Sequence, residues 1–89
     1  MNGVKNDKHE SRFVMNVDGK EVYVIYSEEK DTIELSSTYT PPQLRGKGLA
    51  EIVVKAALEY AKEKNLKVIP SCWYVAKFLE KHPEYKSLI

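Results

Sequence analysis

A chain of 89 residues carrying 14 basic against 13 acidic side chains is long enough for one domain with a modest core and too short for two. Its scattered, nearly balanced charge excludes the broad basic face of a nucleic-acid binder, and its single cysteine excludes an intramolecular disulfide. With no long apolar run and no secretory leader, the sequence reads as a cytoplasmic, soluble monomer with no membrane or nucleic-acid partner.

Residues 1–11 are polar and mixed in charge, and are expected to fray. From Arg12 to Val17 apolar residues alternate (Phe13, Met15, Val17), Asp18-Gly19 supplies a tight turn, and residues 21–26 are again rich in strand formers, which predicts a β-hairpin. Residues 27–31, S-E-E-K-D, read as a charged turn in which Glu28 and Glu29 are solvated. A third strand follows over residues 32–40 with Ile33 and Leu35 on one face, completing an antiparallel meander.

The stretch T-P-P-Q-L-R-G-K-G-L-A, from Thr40 to Ala50, ends that strand. Its two prolines cannot donate to a ladder, and Gly46 and Gly48 let the main chain turn with no Cβ in the way. A helix starting near Gly48 puts the amides from Arg45 to Ala50 at a helix N-terminus, a geometry that binds phosphate. A Walker-type loop would need Ser or Thr after the lysine, but Lys47 is followed by Gly48. A dinucleotide fingerprint would need a third glycine where Glu51 stands. Neither ATP nor a dinucleotide therefore suits the loop.

Over residues 48–64, Leu49, Ile52, Val53, Ala56, Ala57, Tyr60 and Ala61 recur at the spacing of one buried helical face. Packing of that face would aim the N-terminal amides, each worth roughly 1.5 to 3 kcal/mol against a charged phosphate oxygen. Residues 66–70, L-K-V-I-P, predict a short strand parallel to the one before the loop, ending beside it. Ligands in such crossovers sit beyond the carboxyl ends of the strands, where the chain places Ser71, Cys72, Trp73 and Tyr74. A second helix is expected over residues 74–81, burying Val75, Phe78 and Leu79, then stopped by His82-Pro83. Tyr85, Leu88 and Ile89 should dock the tail. His9 and His82 lie far apart with no ligand spacing, so no metal site is expected, and His82 reads as a packing or capping residue.

Three residues stand out for chemistry. A thiol at a helix N-terminus has its thiolate stabilised by the dipole, so Cys72 is a candidate nucleophile or general acid; the competing reading is a small buried hydrophobe. Tyr74 is a phenol close by in sequence, with packing in the core as its equal alternative. Glu34 is the strand carboxylate best placed by order to act as a base.

The pattern Gln/Arg-x-x-Gly-x-Gly/Ala, met by Gln43, Gly46 and Gly48, resembles the acyl-CoA-binding loop of the Gcn5-related N-acetyltransferase superfamily. With V-I-P-S-C-W-Y-V and H-P-E-Y downstream, the chain is similar to small acetyltransferase-like proteins of about this length, closely so from Ser36 to Ile89. The resemblance implies an α/β (α+β) domain spanning residues 1–89. Its ligand would be acetyl-CoA, with CoA as product and no metal, held by Gln43, Leu44, Arg45, Gly46, Lys47, Gly48, Leu49 and Ala50. Thr38, Tyr39 and Thr40 would form a splayed strand end that bonds the pantetheine arm. The implied reaction is acetyl transfer to an amine, with a tyrosine often serving as the acid. Close relatives often carry a histidine near Ser37 and an apolar residue near Thr40, and this chain has neither. Full-size members wall the acceptor site with segments that 89 residues cannot hold. An open acceptor side suits a bulky acceptor such as a protein, or else a non-catalytic acyl-CoA-binding or interaction module.

Overall fold

The computed structural model describes residues 3–89. One sheet runs in the order β1 (Val4–Asp7), β2 (Arg12–Val17), β3 (Lys20–Glu28), β4 (Thr32–Tyr39) and β5 (Lys67–Ile69). The first four strands are antiparallel neighbours, and β5 lies parallel to β4. Between β4 and β5 come a 3-10 turn (Pro42–Leu44) and helix α1 (Leu49–Lys64); helix α2 (Trp73–Lys81) and a 3-10 segment (Pro83–Leu88) close the chain.

The predicted hairpin forms because Asp18 and Gly19 both take positive φ, 52° and 77°, as the two-residue turn requires. Its register sets Phe13 against Val24 and Met15 against Val22, and these four, with Tyr26, Ile33, Leu35 and Val68, are the core face of the sheet. Glu28 belongs to β3 rather than to a charged turn, and its carboxylate accepts a hydrogen bond from the Tyr60 hydroxyl at 2.7 Å.

The N-terminal stretch expected to fray carries β1 instead; residues 1 and 2 lie outside the described residues. Only Val4 gives this strand an apolar anchor, so the alternation that marks the others is missing. Polar pairs compensate: Tyr26 donates to Asn6 Oδ1 at 2.7 Å, and Asp7 faces Arg12 at 3.9 Å.

Helix α1 is turned relative to the face predicted for it. Val54 and Leu58, absent from the expected stripe, are fully buried with Val53, Ala57 and Ala61, whereas Leu49, Ile52 and Tyr60 are only half-buried. Burying a leucine such as Leu58 is worth about 1.5 to 3 kcal/mol, so this rotation is decided by the core. Asn65 ends the helix in the left-handed region, its amide reaching Ala61 and Lys62 oxygens. Val75, Phe78 and Leu79 bury α2, Tyr85 and Leu88 bury the tail, and Ile89 is exposed rather than docked.

One irregularity positions the site. A β-bulge between β3 and β4 pairs Ile25 with Ser37 and Tyr26 with Leu35, leaving Ser36 as the extra residue. The bulge resets the alternation of β4. Thr38, opposite fully buried Val24, thereby points to the helix-covered side of the sheet, while Ser37 and Tyr39 point to the other.

Candidate functional site

β4 and β5 form a fork. Their pairing runs only from Thr32 with Lys67 to Glu34 with Ile69, and the last link is the Cys72 amide donating to Leu35 O at 3.0 Å. β4 continues past this point to Tyr39 with β3 on one side and no strand on the other. Its free edge opens on a cleft of about 450 Å³ lined by Thr38, Tyr39 and Thr40 from the strand, by Leu44, Arg45, Gly46, Gly48, Leu49 and Ala50 from the loop and first helical turn, and by Trp73 and Tyr74 from α2.

The loop is held at three points. Leu44 is buried in the core, the Arg45 amide bonds Pro42 O at 3.4 Å, and Arg45 Nε donates to Thr40 O at 2.9 Å, latching the loop to the strand it leaves. Gly46 and Gly48 take φ of 81° and 74°, and Gly48 is the N-cap residue of α1 with no side-chain capping bond. A Cβ at either glycine would meet nothing within 4 Å, so the sign of φ, not crowding, demands glycine, and Gly48, Leu49 and Ala50 line the cleft at the head of the helix. Unbonded first-turn N–H groups at the positive end of a helix dipole favour an anion in that space.

Ser71 and Cys72 clip the end of β5 to β4. The Ser71 hydroxyl donates to the Glu34 carboxylate, and Cys72 bonds Leu35 through its amide. Cys72 caps α2, and its Sγ lies 3.7 Å from Thr38 Oγ1. Tyr74, half-buried in the cleft wall, has its phenol raised above the ordinary value of 10.0 by burial and by the Glu51 carboxylate. It therefore holds its proton across the neutral range. Trp73 is 72% exposed at the lip of the cleft.

The residues singled out in the sequence do not all converge. Gln43 and Lys47 stand away from the cleft walls; Gln43 borders a shallower depression beside Asn16, Tyr39 and Pro42. Cys72 reaches the cleft through Thr38, which lines it. Glu34 faces the side of the sheet that carries no helix, opposite to Thr38. His82 stacks on Phe78 with centroids 4.0 Å apart and pairs with Glu84 at 3.2 Å. The Arg45 latch and the Ser71–Glu34 bond have no local signal, since each depends on tertiary register. Among the described residues, no group of three or more His, Cys, Asp or Glu side chains could hold a metal ion.

Comparison with known proteins bears on this arrangement. The sequence profile of the family described as GCN5-related N-acetyl-transferase matches residues 12–88. Protein NATD1 of Danio rerio is 33% identical over 87 residues, covering 92% of this chain and 79% of that one. Protein NATD1 of Homo sapiens is 30% identical over 83 residues, covering 90% and 74%. The solution structure of a GCN5-like protein from Staphylococcus aureus superposes with a TM-score of 0.75 at 28% identity, covering 99% of this chain and 89% of that one.

Proposed function

The chain belongs to the GCN5-related N-acetyltransferase family, and we propose that it binds acetyl-CoA in the fork between β4 and β5 and transfers the acetyl group to an amine. The observation that carries this reading is the cleft itself. A strand edge without a partner, able to bond an amide-bearing arm as a neighbouring strand would, runs into a helix N-terminus that has no side-chain cap and lines the same cleft. The pantetheine amides fit the edge from Thr38 to Thr40, and the diphosphate fits the amides from Gly46 to Ala50.

Acetyl-CoA supplies an activated thioester. The acceptor nitrogen bonds to the thioester carbonyl carbon, the carbon–sulfur bond breaks, and two protons move. The Glu34 carboxylate, oriented by Ser71, accepts the proton that the amine loses, directly or through water. The Tyr74 phenol lines the cleft and is protonated at neutral pH, and its place there makes it the group that protonates the departing thiolate. Cys72, whose thiol is turned onto Thr38, holds the fork and the cleft wall in register.

The test is CoA release from acetyl-CoA, followed by thiol detection, with a panel of small and peptide amines. Amine-dependent release that Tyr74→Phe suppresses supports the reading. Tight CoA binding with no release for any amine would make the chain a CoA-binding module.

A further inference from the structure

We infer that the amine acceptor is a polypeptide, and that it docks on the helix-free face of the sheet around Glu34. The inference rests on the acetyl-transfer reading and names its substrate class. Both helices and the closing 3-10 segment pack on one face, against Val22, Val24, Ile33 and Leu35. Among the described residues no element covers the other face.

The two halves of that face differ. Over β1 and β2 it is closed by its own side chains: Arg12 lies over the Tyr23 ring at 4.9 Å and pairs with Glu21 at 3.0 Å, and Val14 is only 9% exposed. Over β3, β4 and β5 it is open and apolar, with Ile25 37%, Tyr39 41% and Ile69 45% exposed. Glu34 stands in this half as the register partner of Ile69, beside Ser71. The other charged side chain at this edge, Lys67, is directed to Ser87 O at 3.0 Å. Arg12, the register partner of Ile25, is already paired with Glu21 and Asp7, so Glu34 is the charge left without an ion pair for an occupant to meet, and it calls for a cation. Tyr39 belongs both to this patch and to the cleft wall, which makes the two surfaces continuous.

A small amine would satisfy Glu34 and leave Ile25 and Ile69 in water. A second copy of this chain, packed two-fold on the same patch, would bring two Glu34 carboxylates into one apolar interface and no cation beyond Arg12 and Lys67, which are already engaged. A peptide whose amine is flanked by apolar side chains satisfies both the charge and the isoleucines.

The experiment uses the full chain with acetyl-CoA and three acceptors: butylamine, a capped peptide with lysine between leucines, and its counterpart with lysine between serines. The leucine-flanked peptide should show the lowest KM. The variant Ile25→Thr/Ile69→Thr should raise that KM about tenfold, with kcat, butylamine turnover and CoA affinity unchanged. Amide and methyl shifts on adding the leucine-flanked peptide alone should map to Ile25, Tyr39 and Ile69. Equal KM for both peptides, an indifferent double variant, or a peptide that leaves these signals unmoved while CoA moves the loop would overturn the docking proposal. A peptide that moves the patch in a protein that never turns over would support docking and contradict acetyl transfer.

Discussion

Thr38 Oγ1 and Cys72 Sγ meet at 3.7 Å across the fork where β4 and β5 part. The contact exists only because the bulge at Ser36 turns Thr38 to the helix side of the sheet. It ties the cysteine to the cleft wall while Tyr74, two residues on, lines the cleft itself. Tyr74→Phe should therefore lower kcat about a hundredfold or more, with the dissociation constant for acetyl-CoA unchanged. Cys72→Ser should keep most of the activity. A Cys72→Ser variant that is dead, together with an acetyl adduct on Cys72 in the intact mass of the parent, would replace this assignment with a covalent route.

Gly48→Ala separates folding from binding. Its φ of 74° costs an alanine about 1 to 2 kcal/mol, readable as a lower denaturant midpoint. The added methyl meets nothing in the free protein, and Gly48 lines the cleft at the head of α1 where the diphosphate is proposed to sit. CoA affinity should fall about tenfold, the equivalent of losing one charge-assisted amide bond.

Leu58→Ala tests the observed rotation of α1. Leu58 is fully buried, so truncation should cost about 2 to 5 kcal/mol, enough to unfold much of a domain this small. Ile52→Ala, at a half-buried position of the predicted stripe, should cost clearly less.

Those two positions show where the sequence was legible. The hairpin, β4, both helices and the parallel strand follow from alternation, turn residues and helical spacing. The face of α1 does not, because Val54 and Leu58 extend its apolar arc beyond one stripe and only the sheet decides which part is buried. β1 carries no alternation to read, because Val4 is its one apolar residue. The cleft-forming loop was visible from Gly46 and Gly48, whose positive φ only glycine adopts freely. The Ser36 bulge, the Arg45–Thr40 latch and the Ser71–Glu34 bond depend on cross-strand and tertiary register, which no local pattern encodes.

Stability should fall at alkaline pH. The Tyr60 phenol is pushed up to about 12 by its hydrogen bond to Glu28 and by burial, and Tyr85 to about 12 by burial and its bond to Glu59, from an ordinary 10.0. The unfolded chain loses these protons first, so the stabilisation is fully present below pH 10 and declines as pH rises towards 12. Denaturant midpoints measured across this window should fall, and the fall should be shallower in Tyr60→Phe. A midpoint that is flat, or rises, would contradict the linkage.

The proposed chemistry stands or falls with acyl-CoA binding at the fork and loop. Its most direct test is titration of CoA and acetyl-CoA into isotope-labelled protein while backbone amide shifts are followed. The amides from Gly46 to Ala50 and the free edge from Thr38 to Thr40 should move together and saturate, while those of β1 and β2 stay in place. If they remain unmoved at millimolar ligand, or if the shifts centre on another surface, the account is wrong.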